Sequence, residues 1–331
     1  MGAQFFAGSA WRRDRDIHTL YTAAFSSDPA GWTAQVAGTA HAPQQYRVGV
    51  VKTADWMSQL LHIGIRHALG MIDAFAALVA AFLLFSLLER TDVYRKASIA
   101  AKWFGSALLV LLVQFYLIWL LWFQRPETMP SAMVVVLLLW LWTRKGSWLD
   151  STAAGQLLTA GLILLLSLAQ GFVRADVAFL LNAGIFLACF TPISKDLALP
   201  KTAALLSSFV GAGLAAAVQL YMMKVVYPHA SYGDTPLVQL ALNITRPYRW
   251  APFILFLVPY AWTLVQVVRR KFMGDAAGVA FAVGSVLFGG AWHLVGKMDE
   301  VRIFIPFALA IAPLTVQLAM LKLEPLSSAE A

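Results

Sequence analysis

The sequence predicts an all-α, polytopic integral membrane protein, a bundle of about 8–10 transmembrane helices carrying a polar extracytoplasmic N-terminal segment. Three observations predict it. Of 331 residues, 60% are hydrophobic. Asp, Glu, Lys and Arg together make up 13%, about half their share in a soluble domain. Mean hydropathy is +0.70 over the whole chain, which calls for many crossings and not for one anchor.

Each apolar run is taken in order. A crossing needs about 20 residues at 1.5 Å each. Such runs fall near 69–88, 103–123, 131–143, 154–172, 176–193, 202–225, 250–268, 276–295 and 303–321. The run at 131–143 is short, and its unbroken Val, Leu and Trp content favours a crossing over a re-entrant segment. Pro126, Pro130, Pro192, Pro200, Pro228, Pro236 and Pro247 lie in or beside the gaps, where proline costs least. The chain thus divides into a polar segment at 1–67, a helical bundle at 68–323 and a tail at 324–331.

The net charge is +8. On a chain this apolar, the excess reads as membrane-loop charge and not as nucleic-acid binding. Setting the 89–102 gap inside places eleven Lys or Arg in the inner gaps and seven in the outer ones. That bias puts 1–67, 124–130, 173–175, 226–249 and 296–302 on the extracytoplasmic side. Residues 1–10 have neither the basic start nor the apolar core of a secretory signal. Export of 1–67 therefore falls to the first helix, or to a helix upstream of Met1. The single cysteine, Cys189, allows no intrachain disulfide.

Candidate chemistry sits in the polar stretches. Arg13 to His18 opens the long N-terminal segment, and on a helix Asp14 and His18 share a face. A carboxylate beside an imidazole can act as a general base or hold a divalent cation; a solvated, salt-bridged helix start is the plainer alternative. Gln45-Tyr46-Arg47 offers a guanidinium fork suited to phosphate, or an interfacial anchor with Trp56 and His62 continuing the membrane-surface pattern. Lys297 to Arg302 places Asp299, Glu300 and Arg302 between two apolar runs, where charges are costly unless paired or used. Arg174 and Asp176 share one outer turn. Asp73 and Asp234 are lesser candidates. Asn243-Ile244-Thr245 matches an N-glycosylation acceptor. Gly211, Gly213, Gly289 and Gly290 are expected to permit close helix packing. No zinc spacing, phosphate-cradling glycine loop, serine elbow or dinucleotide fingerprint stands out.

Asp16, His18, Tyr21 and Ala23 form an Asp-x-His-x-x-Tyr-x-Ala pattern on the first helical stretch. With the polytopic layout, it resembles the start of the GT-C class glycosyltransferases, which use lipid-linked sugar donors. Gln45-Tyr46-Arg47-Val48 before a span, with Glu300-Val301-Arg302 before the last one, is also similar to a group of uncharacterised bacterial membrane proteins. Two departures stand out: no apolar helix precedes Trp11, and the first polar segment lacks that class's paired Asp-Glu. The resemblance implies a bacterial inner-membrane enzyme that transfers a sugar from a polyprenyl-phosphate donor at the extracytoplasmic face. Asp16, with Asp14 beside it, would be the catalytic carboxylate. His18, Tyr46, Arg47, Arg174, Glu300 and Arg302 would bind the substrate and the donor phosphate. The expected partners are that donor and membrane lipids, without nucleic acid, and no cofactor beyond a possible divalent cation is implied.

Two other classes compete. A transporter or lipid flippase needs paired ionisable groups deep within spans, and 105–123, 156–172 and 252–268 contain no Asp, Glu, Lys or Arg. A non-catalytic membrane assembly protein needs no site at all.

Overall fold

The computed structural model describes residues 32–118, 125–143, 152–230, 238–246, 250–269, 276–296 and 301–327. Among them are twelve α-helices and no strand. Trp32–Ala37 (α1) and Gly49–Leu61 (α2) precede the long helices Ile65–Arg90 (α3) and Ile99–Ile118 (α5), which the short Asp92–Lys96 (α4) links. Thr128–Trp142 (α6), Ala153–Ala188 (α7) and Lys201–Tyr221 (α8) follow. Leu240–Thr245 (α9), Trp250–Arg269 (α10), Ala276–Val295 (α11) and Ile305–Ser327 (α12) complete the order. Seven helices are long and apolar enough to cross a membrane, and α6 is a shorter apolar one. This is an all-α, multi-pass membrane bundle.

The last helix is its centre. The apolar window of α12 is 94% buried, against 22% for α5. A helix apolar on all sides belongs inside a bundle, and one facing lipid can be equally apolar, so only packing separates them. α12 packs on α3, α5, α6, α10 and α11. Prolines 259 and 313 interrupt the backbone ladders of α10 and α12. The Thr263 and Thr315 hydroxyls, one on each helix, lie 2.8 and 3.1 Å from the Pro259 and Ile311 carbonyls. Their hydroxyls also meet at 2.8 Å and tie the two helices together, a common way to keep polar atoms satisfied at membrane depth.

α7 spans 36 residues but is bent back on itself. Arg174 has φ −154° and ψ 88°, outside helical values. The Asn182 amide donates to the Ser167 hydroxyl at 3.1 Å across 15 residues. In a straight helix those residues would lie roughly 23 Å apart. The chain therefore reverses at Arg174 into two apolar arms, 153–173 and 175–188, as the runs at 154–172 and 176–193 predict.

Loops at one end of the bundle form a cap face. Tyr46 donates to the Ala230 carbonyl at 3.0 Å, and Asn243 donates to the His293 and Gly296 carbonyls at 2.9 and 2.8 Å. The opposite face joins Ala198 to the Trp142 carbonyl at 3.0 Å and sets Arg90 over the Trp140 ring at 4.3 Å. This sorting of gaps between two faces follows from the alternation of the apolar runs along the chain. Asn243 is fully buried and committed to structure, so its acceptor pattern is a packing residue in disguise.

Close helix packing occurs at Gly211, where an added β-carbon would meet the Asn182 side chain at 2.7 Å. It occurs also between Gly184 and Gly284, where α7 and α11 backbones approach. Gly213 and Gly290 instead face open space. The expectation fails at those two because a glycine beside open space leaves the same mark in a sequence as one at a helix crossing.

Candidate functional site

Arg47 reaches the cap face through a folded loop. Gln35 donates to the Gln44 carbonyl at 2.7 Å, Gln45 donates to the Gln35 carbonyl at 3.1 Å, and the Ala40 amide donates to the Gln45 carbonyl oxygen of the side chain at 2.8 Å. This buried amide network holds the turn at Gln44–Tyr46. The Tyr46 ring packs against Val48, Val218 and Met222, so Tyr46 supports Arg47 from behind.

Three other elements deliver the remaining charges. Glu127 immediately precedes α6, its side chain free of any capping bond and turned to Arg47, with Pro130 in the first turn, where a missing N–H costs nothing. Arg174 occupies the reversal of α7, and Asp176 begins its second arm. Arg302 lies on the short 3-10 turn Val301–Phe304 that leads into α12.

These side chains converge. The Arg47 guanidinium lies 3.3 Å from Glu127 and 3.7 Å from Asp176. Arg174 makes a two-point pair with Asp176 and donates to the Ile303 carbonyl at 3.3 Å. Arg174, Glu127, Arg125 and Arg302 are all buried. Burial alone would raise the Glu127 carboxyl; the guanidinium groups of Arg47, Arg302 and Arg125 outweigh it and hold the carboxyl below its usual range. Among the described residues, four arginines meet two carboxylates here. Such a site favours an anion, and guanidinium forks fit phosphate oxygens two at a time.

A cavity of about 280 Å³ lies beside this cluster, between α10 and α11. Trp250 and His293 stand at its cap-face end, their rings 4.9 Å apart. Phe253, Tyr260 and Phe304 line it, and the glycines at 289 and 290 open its wall.

The sequence-predicted residues are thus partly assembled. Arg47, Arg174 and Arg302 come together from three distant stretches, with Tyr46 behind them. Asp14, Asp16, His18 and Glu300 lie outside the described residues, as do Asp234 and Asp299. Asp73 is buried within α3. Sequence reasoning passed over Glu127. The available signal was a lone carboxylate beside Arg125 in a short gap, one turn before a proline. Among the described residues, no group of three or more His, Cys, Asp or Glu is placed to hold a metal ion. Comparison of the chain with protein-family models, with curated proteins and with solved structures finds no match.

Proposed function

We propose that the cap-face cluster binds the phosphate of a lipid-linked sugar, and that the protein transfers that sugar at the extracytoplasmic face of a bacterial inner membrane. The convergence of Arg47, Arg174 and Arg302 carries this reading. The charge bias of the gaps supports the sidedness. In the reaction, an acceptor hydroxyl attacks the anomeric carbon, and the carbon–oxygen bond to phosphate breaks. Lipid phosphate leaves with the electron pair, and the hydroxyl proton passes to a carboxylate. Glu127 and Asp176 are engaged by arginines, so they hold and orient the guanidinium groups. The proton acceptor in this reading is Asp16.

The test is sugar transfer from radiolabelled polyprenyl-phosphate donors in membranes containing each variant. Asp16→Asn is expected to lower transfer by roughly 10²–10⁴-fold, the usual share of a general base. Arg302→Lys keeps the charge but loses the fork, and is expected to weaken donor binding. Near-normal transfer by both variants would refute the reading. One observation favours a second reading: Glu127 and Asp176, the two carboxylates described in the cluster, are paired with arginines, which suits a site that binds lipid phosphate without reacting with it. Wild-type protein that binds polyprenyl phosphate in vesicles, moves it between leaflets and transfers no sugar would decide for that lipid carrier.

A further inference from the structure

The arginine cluster and the aromatic cavity share a wall. Phe304 follows Arg302 by two residues and packs on Phe253 and Phe288, with ring centroids 5.3 and 5.2 Å apart. The other side of this contact is charged: the Arg174 guanidinium lies 5.6 Å from the Phe288 ring. From that junction the cavity follows α10 from Trp250 to Leu264. Along a helix that is roughly 20 Å, more than the ~15 Å of one leaflet's hydrocarbon.

We infer that this cavity holds the single hydrocarbon chain of a lipid monophosphate, its phosphate on the arginines and its chain running between α10 and α11. The inference rests on the lipid-phosphate reading above and narrows its substrate class to lipids with one chain per phosphate, as in a polyprenyl phosphate. Charge complementarity places the head. The volume, about 280 Å³, lies at the small end for ligand cavities and suits one chain; a diacyl lipid would leave its second chain outside. In a bilayer the chain gains no hydrophobic energy by leaving lipid for protein, so recognition depends on shape and packing. Aromatic walls opened by Gly289 and Gly290 provide that shape.

A long-chain polyprenyl phosphate with a diazirine on its chain tests this on the full-length protein in detergent, with crosslinked peptides mapped by mass spectrometry. Labelling is expected on α10 and α11 along the cavity. Unlabelled polyprenyl phosphate in excess should suppress it, and dioleoyl phosphatidate should not. An added β-carbon at Gly290 meets nothing within 4 Å, and Gly290 lines the cavity, so Gly290→Leu adds bulk at its wall. It should cut cavity labelling by about tenfold. Val286→Trp, on the same wall, should act alike if Gly290→Leu folds poorly. Gly213→Leu, on open surface of α8, should change nothing.

Labelling that ignores both filling variants while polyprenyl phosphate still competes would overturn the chain site and leave the phosphate reading standing. Equal competition by phosphatidate would overturn the single-chain assignment. Labelling that neither saturates nor responds to Arg302→Lys would refute the lipid-phosphate reading itself.

Discussion

Two arginine–carboxylate sites, one at each end of the bundle, show what the same residue types become in different surroundings. Arg95 and Asp92 pair within α4 on the opposite face, with side chains 65% and 68% exposed. Arg47 and Glu127 pair across distant elements on the cap face, with side chains 12% and 4% exposed. Water competes for the first pair and screens it, so its worth is small. The second pair has given up most of its water, and removing one partner leaves the other charge stranded. The exposed pair is a feature of one helix. The buried one joins α6, the α7 reversal and the loop before α2, and so reports on the fold.

The largest effect is expected at Arg174, whose side chain is 1% exposed. Arg174→Leu removes the partner of Asp176, the donor to Ile303 and the cation beside Phe288 together. Loss of a buried pair typically costs 3–5 kcal/mol; Asp176 keeps some water, so about 3 kcal/mol is expected. Unfolding in mixed detergent micelles with increasing dodecyl sulfate measures it. Arg174→Lys keeps a charge without the fork and should fall between. A shift no larger than that of an exposed residue would erase the contrast between the two faces.

Glu127 comes next. Its carboxyl is held below the ordinary value of 4.5 by the surrounding arginines. A depressed folded value means that its stabilisation is present above about pH 4.5 and is lost as pH falls through that lower value. Glu127→Gln is therefore expected to be less stable at pH 7, by about 2 kcal/mol. Stability measured from pH 7 down to pH 3 should show the two proteins converging at the acid end. Parallel curves would mean that Glu127 contributes by shape and not by charge.

The membrane layout was legible in the sequence because a bilayer imposes a length and a composition that hydropathy reads directly. Even the reversal at Arg174 showed, as a charged gap between two apolar runs. Which helix is central did not show. α12 faces protein and α5 faces lipid, yet both are apolar, since lipid and protein interior accept the same side chains. Arg47, Arg174, Asp176 and Arg302 were legible for a similar reason: charges at span ends are rare and conspicuous. Glu127 was missed because its meaning lies in residues 80 and more positions away, and a lone carboxylate looks the same whether it faces water or three guanidinium groups. The cavity was not legible at all, since Gly290 at its wall and Gly213 on open surface look alike in the chain.

The smallest effect sharpens the comparison from its weak side. Asp92 is capped into the first turn of α4, where Thr91 also accepts the Tyr94 amide. Arg95 sits one turn on and pulls the Asp92 carboxyl below its usual value through their hydrogen bond. The geometry is close, but both groups are open to water. Ordering two exposed side chains costs entropy comparable to the screened attraction between them. At 1 M salt the screening length falls to about 3 Å, which removes most of what attraction remains. Asp92→Asn should therefore leave the melting temperature of the detergent-solubilised protein unchanged at low and high salt, since Thr91 still caps the turn and the amide oxygen still accepts from Arg95. Glu127→Gln measured in parallel should stay destabilised at both salt concentrations, because buried charges are screened far less. A melting shift in Asp92→Asn that vanished at high salt would show that the opposite face also stores electrostatic energy, and the distinction between the two ends would then rest on degree of burial alone.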